Sequence, residues 1–138
     1  MEYKIENNLI PEEYNELRNS VGWDSKDESV VIEAINNSVL VKKIIVNNKT
    51  VGMARAIGDG LYYLIVDVVV NKEHQGNGFG KILIEEIVKE VYNKTKEGQK
   101  ASINLISMQG KETFYEKCGF RKIPFDFTGY GMIRRIYK

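Results

Sequence analysis

The stretch of this chain best equipped for chemistry is a run of valines that gives way to closely spaced glycines. Val68-Val69-Val70 leads through Asn71-Lys72-Glu73-His74 into Gln75-Gly76-Asn77-Gly78-Phe79-Gly80-Lys81, where an amphipathic helical pattern begins. The first N–H groups of a helix have no partner inside it. They lie at the positive end of the helix dipole, and glycines let a ligand approach that backbone closely. Together these make an anion site suited to a diphosphate. Two commoner phosphate loops do not fit. A Walker loop needs a glycine five places before Gly80 and Ser or Thr after Lys81, but Gln75 and Ile82 stand there. A dinucleotide fingerprint needs G-x-G-x-x-G, and the spacing here is Gly76, Gly78, Gly80 in mid-chain, after a hairpin.

Asp67 is the second candidate. It is an acid inside the apolar run Leu61 to Val70, next to Val68. Buried carboxylates are usually paired or functional. Asp67 is therefore either a general base or a carboxylate satisfied by backbone amides or by an arginine such as Arg55. His74 is the only histidine, and a pKa of about 6.5 would suit a base. Its place beside the anion loop reads instead as an exposed loop residue. Cys118 falls four residues after Phe114 and shares its helix face, which suits a small core residue better than a nucleophile. The potential ligands show no clustered spacing, so no metal is expected.

These groups must be positioned by a mixed α/β framework. Tyr3 to Glu6 reads as a short strand. Pro11-Glu12-Glu13 starts a helix that runs to about Asn19. A second helix is expected from about Lys26 to Asn36, with Ser25 and Glu28 at capping-box spacing. Val39 to Val46 and Thr50 to Ile57 form a hairpin around Asn47-Asn48-Lys49. Gly58-Asp59-Gly60 turns the chain into a strand over Leu61 to Val70, apolar enough to be covered on both faces. The helix from Gly78 to about Asn93 carries Phe79, Ile82, Leu83, Ile87, Val88 and Val91 as its apolar stripe. Ala101 to Ser107 is a strand, and Lys111 to Lys117 a short helix stopped by Gly119. Phe120 to Ile123 and Met132 to Tyr137 are expected to close the sheet. The sum is a largely antiparallel central sheet flanked by helices.

Composition bounds the rest. The 138 residues suit one domain, 1–138, with a real core. Twenty basic residues against nineteen acidic ones leave a net charge of +1, no footprint of nucleic-acid or membrane binding. The single cysteine excludes an intrachain disulfide and suits a reducing compartment. The N-terminal residues hold no apolar signal core, and no apolar run approaches the roughly 20 residues of a spanning helix. A cytoplasmic location is expected.

The spacing Gln75-x-x-Gly78-x-Gly80 resembles the Q/R-x-x-G-x-G/A signature of the GNAT superfamily of N-acetyltransferases. Phe114-Tyr115-Glu116-Lys117-Cys118-Gly119-Phe120 is similar to the segment that forms that superfamily's last helix and following strand. The resemblance spans Tyr3 to Tyr137 and implies the GNAT acyl-CoA N-acyltransferase fold. It implies acetyl-CoA as co-substrate and a small-molecule amine as acceptor, attacked directly in a ternary complex. Val68, Val69 and Val70 would meet the pantetheine arm, and the amides from Gln75, Gly76, Asn77, Gly78, Phe79 and Gly80 to Lys81 would hold the diphosphate. Tyr115 would sit beside the sulfur. A phenol with a pKa of about 10 keeps its proton at neutral pH and can give it to a leaving thiolate.

In that superfamily the region of Trp23 commonly walls the acceptor pocket, so Trp23 would either stack on the acceptor or simply pack; Tyr62, Tyr63 and residues 126–132 are further candidates for the wall. Members of the superfamily often dimerise, which leaves a homodimer open. One departure stands out: Met108 occupies the place where many members carry an asparagine. Two rival readings are a non-catalytic sensor of acyl-CoA and a transferase for a longer acyl group.

Overall fold

Adjacent lysines in an otherwise β-branched run, Leu40-Val41-Lys42-Lys43-Ile44-Ile45-Val46, set out the layering of the molecule. Successive side chains of a strand point to opposite faces. Lys42 reaches Glu90 at 2.7 Å, whereas Lys43 reaches Glu13 at 3.0 Å. The helices that carry those acids therefore cover opposite faces of one sheet. Both lysines are buried, which lysine tolerates only when paired. The computed structural model describes all 138 residues, which divide into two compact units, 1–106 and 107–138.

In the first unit the order is β1 (Lys4–Glu6), α1 (Pro11–Ser20), α2 (Glu28–Asn36), β2 (Leu40–Val46), β3 (Lys49–Gly58) and β4 (Tyr62–Val70). A single 3-10 turn (Lys72–His74), α3 (Phe79–Lys94) and β5 (Ser102–Leu105) follow. The five strands lie in sequence order. The first three junctions are antiparallel, while β4 and β5 pair in parallel, with α3 in the crossover that parallel neighbours need. Asn47 and Asn48 take φ of 50° and 62°, the left-handed pair of a two-residue hairpin loop whose twist matches the strands.

Each face has its own packing. Phe79, Leu83, Ile84, Ile87 and Val91 bury one stripe of α3, so Ile84 joins the expected stripe while Ile82 and Val88 are only half-buried. On the α1 side, Leu9, Tyr14, Leu17, Val31, Met53 and Val69 form one cluster, with Trp23, Ile35 and Val41 packed against it. The strand β4 buries Tyr63, Ile65 and Val69, and the residues between them are half-buried.

The start of α1 is tied down by Glu13. Its carboxylate accepts the Ile10 N–H at 3.0 Å, the Thr50 hydroxyl and the Lys43 ammonium. Burial pushes the Glu13 pKa up, but the bonds from Thr50, Ile10 and Lys43 outweigh it and hold the carboxyl below its ordinary value. The expected capping box at Ser25 and Glu28 does not form. Helix α2 starts after Asp27 without a side-chain cap, and the Ser25 hydroxyl donates to Asn19 instead. The reason is Asn15, whose amide donates to the Lys26 carbonyl at 2.9 Å and accepts the Lys26 N–H at 2.8 Å. That pair holds Lys26 outside the helix.

The second unit contains α4 (Glu112–Lys117). Gly119 follows at φ 93°, a left-handed stop that glycine adopts without strain. The two closing strands expected over Phe120 to Ile123 and Met132 to Tyr137 are absent as regular strands. Their sequences explain this. Phe-Arg-Lys-Ile and Met-Ile-Arg-Arg-Ile-Tyr pair polar with polar and apolar with apolar, so neither has the period of two that gives a strand one buried face.

Candidate active site

The glycine loop takes the shape its residue types demand. Asn71 accepts the Glu73 N–H through its side chain at 2.9 Å, which starts the 3-10 turn. The Gln75 amide then reaches back to donate to the Val70 carbonyl at 3.0 Å, and the Asn77 amide donates to the His74 carbonyl at 3.0 Å. These bonds fasten the loop to the end of β4. Gly76 and Gly78 lie at φ 85° and 81°, a region that costs other residues about 1–2 kcal/mol. Gly78 is the N-cap of α3. Its carbonyl accepts the first helical bond, from the Ile82 N–H at 3.1 Å. The amides of Phe79, Gly80 and Lys81 thus precede the helical ladder and can meet an anion. Residues 75–78 are exposed. His74 is half-buried, with its Nδ1 enclosed and without a partner.

Strand β4 changes character half-way. Its pairing with β5 runs from Tyr62 with Ser102 to Ile65 with Leu105 and stops there, while β4 itself continues to Val70. On the other side, the register with β3 slips: Met53 faces Val69 but Arg55 faces Val66. Two residues of β4 therefore oppose one of β3, which is a β-bulge. Asp67 sits in it with φ 53°, a conformation that aspartate tolerates better than most residues.

The Asp67 carboxylate sits among three partners. Oδ2 accepts the Tyr14 hydroxyl and the Arg55 Nε–H, both at 2.8 Å, and Oδ1 faces Arg18 Nη1 at 3.7 Å. All three charged side chains are 13% exposed. Burial of the Tyr14 phenol and the Asp67 charge beside it raise the tyrosine's pKa. Arg55 also donates to the Ser38 hydroxyl at 3.1 Å. Arg18 lies against the Tyr14 and Trp23 rings, at 5.7 and 5.3 Å from their centroids, and donates to the Asp24 carbonyl at 2.7 Å. Asp67 is thus paired with Arg55, as expected, and with Tyr14 and Arg18 besides.

Tyr63, expected on the pocket wall, lies in the core at 3% exposure. Its ring packs over Gly58 so closely that a Cβ there would come within 2.6 Å of it. It packs against the β3–β4 turn. Tyr62 is exposed. Trp23 is half-buried. In the second unit, Tyr115 is half-buried on α4 and meets the edges of Phe114 and Phe120, with ring centroids 5.0 and 6.2 Å away. Burial pushes its phenol above the ordinary value of 10, and Cys118 adds to the effect, so Tyr115 keeps its proton at neutral pH.

Residues 36–122 match the family model described as an acetyltransferase (GNAT) domain. The chain belongs to the GNAT acetyltransferase family. The uncharacterized N-acetyltransferase ycf52 of Pyropia yezoensis is 33% identical over 122 residues, covering 85% of this chain and 68% of that protein. The histone acetyltransferase TAP1 of Glycine max is 28% identical over 125 residues, covering 82% of this chain and 52% of that protein. Among solved structures, a probable acetyltransferase of meticillin-resistant Staphylococcus aureus superposes with a TM-score of 0.81 at 28% identity, over 98% of this chain and all of that one. The protein is a GNAT-type N-acetyltransferase with the sheet and helices of that fold. No helix is long and apolar enough to cross a membrane.

Within this GNAT domain, sequence spacing found the loop but missed Tyr14 and Arg18 as partners of Asp67. A signal for Arg18 was present: it falls four residues after Tyr14 on the same face of α1, and Trp23 follows the end of that helix. Nothing local pointed from Tyr14 to Asp67, which lies 53 residues away.

Proposed function

We propose that this GNAT domain transfers the acetyl group of acetyl-CoA to a primary amine of a small molecule, by direct attack in a ternary complex. The observation that carries the reading is the exposed loop of left-handed glycines and free helix-start amides at the end of β4, beyond the point where β4 and β5 stop pairing. The loop residues suit a diphosphate in geometry and charge, and the stretch of β4 left open on its β5 side suits an extended amide-bearing arm. Bound there, acetyl-CoA supplies an activated thioester.

The roles of the chain's own groups follow. The amides of Gln75 to Lys81 hold the diphosphate. Backbone donors around Val68 stabilise the oxyanion that forms as the amine attacks. Tyr115 gives its proton to the departing sulfur. The exposed part of Trp23 borders the acceptor. Asp67 carries the bulge instead of taking a proton from the amine, because its Oδ2 already accepts from both Tyr14 and Arg55 and its Oδ1 faces a second guanidinium. Solvent then removes the amine proton.

The test is to incubate the pure protein with acetyl-CoA and a broad amine panel and follow free thiol. Amine-dependent thiol release supports the proposal. Saturable binding of acetyl-CoA with no thiol release for any amine supports a sensor and contradicts it.

A further inference from the structure

Arg18 is held like a receptor with an empty grip. Two aromatic rings flank its guanidinium, and its Nε–H is committed to the Asp24 carbonyl at 2.7 Å. That fixes the plane and direction of the head group. Its Nη groups are not taken up in the same way. The nearest acidic oxygen, Asp67 Oδ1, lies 3.7 Å from Nη1, beyond hydrogen-bond distance. Arg55 has used the better geometry, at 2.8 Å to Oδ2 of the same carboxylate. Two guanidiniums therefore share one carboxylate, at 13% exposure each. A poorly solvated positive charge of this kind calls for a further anion.

We propose that the Arg18 fork, backed by Arg55, binds an oxyanion carried by the acceptor, so that the preferred acceptor is an amine that also bears a carboxylate or phosphate. The inference rests on the transferase reading above and adds its substrate class. Arginine pairs with both groups through two parallel N–H bonds. A fork already immobilised by Trp23, Tyr14 and Asp24 loses little freedom when it does so. The location suits the task, since Asp67 is the chain neighbour of Val68 in the β4 bulge.

The experiment compares amino carboxylates, aminoalkyl phosphates and plain alkylamines matched in chain length. Thiol release from acetyl-CoA gives kcat/KM for each, and the fluorescence of Trp23, the only tryptophan, gives binding without turnover. One anionic arm should exceed the plain amine by about tenfold or more in kcat/KM, through KM, and should saturably alter the Trp23 signal. Whichever arm leads identifies the oxyanion. Arg18→Gln should erase the preference while leaving acetyl-CoA affinity unchanged. Arg18→Lys, which keeps the charge but not the fork, should retain only part of it and carries the comparison if the glutamine variant does not fold. Plain amines that match the anionic ones, or a preference that survives in Arg18→Gln, would overturn the proposal. So would a Trp23 signal indifferent to the anionic amines. Absent acetyl-CoA binding in calorimetry would instead strike the transferase reading, and the fluorescence titration would still decide the anion site.

Discussion

Replacing Asp67 with asparagine isolates one charge. The amide has the shape of the carboxylate and shares its tolerance for a left-handed backbone, so φ 53° can persist. The amide oxygen can still accept from Tyr14 and Arg55. What disappears is the negative charge between two guanidiniums at 13% exposure. Charge-assisted hydrogen bonds contribute about 1.5–3 kcal/mol net, and removing one partner of a buried pair outright costs about 3–5 kcal/mol. Because asparagine keeps part of the bonding, Asp67→Asn should lose about 2–3 kcal/mol. A domain has only about 5–15 kcal/mol to lose, so the variant should fold with a melting temperature lower by roughly 10 °C. Guanidinium denaturation should show a lower midpoint at an unchanged slope. On the proposed mechanism, in which solvent removes the amine proton, the pH profile of thiol release should keep its acidic limb. A loss under about 0.5 kcal/mol, the size of an ordinary surface change, would refute the network. Disappearance of the acidic limb would restore Asp67 as the base.

Other outcomes follow from the same structure. Tyr115→Phe should cut turnover by about 10²-fold at unchanged acetyl-CoA affinity; equal turnover would remove the acid role. Gly78→Ala meets no atom within 4 Å but must hold φ 81°, so it should cost about 1–2 kcal/mol and weaken CoA in calorimetry, whereas tight binding would contradict the loop assignment. Glu13 has its pKa lowered in the folded state, so its stabilising effect is present above the ordinary value near 4.5 and is lost as pH falls through the folded value. The stability gap between the protein and Glu13→Gln should therefore narrow in denaturation curves taken below about pH 4.5; a gap independent of pH would deny the effect. Glu90→Ala leaves Lys42 buried with only Asn7 as a partner and should destabilise by about 3 kcal/mol, read from thermal melts.

Much of the framework is legible because its signals are local. Alternating apolar residues, the Asn47-Asn48 loop and the Gly76-Gly78-Gly80 spacing each act over a few positions. What escaped depends on distant partners. Counting back from the Gly58-Asp59-Gly60 turn pairs Arg55 with Val66, as observed, but gives no sign that β4 carries an extra residue. That extra residue is what turns Asp67 toward Arg55 and Tyr14. The Lys42-Lys43 pair looks like a polar break in a strand, and its burial is made tolerable chiefly by Glu13 and Glu90, on helices far away in the chain. The Ser25 and Glu28 spacing was a valid cap in isolation, but Asn15 on the preceding helix captured Lys26 first. At the C-terminal end, β-branched and aromatic content suggested strands where no alternation supports them.

The most direct test is titration calorimetry of the folded protein with CoA and with acetyl-CoA, alongside Gly78→Ala. Saturable heat with one site per chain, weakened in the variant, is the result expected if loop amides grip the diphosphate. A flat titration with both ligands would contradict that claim.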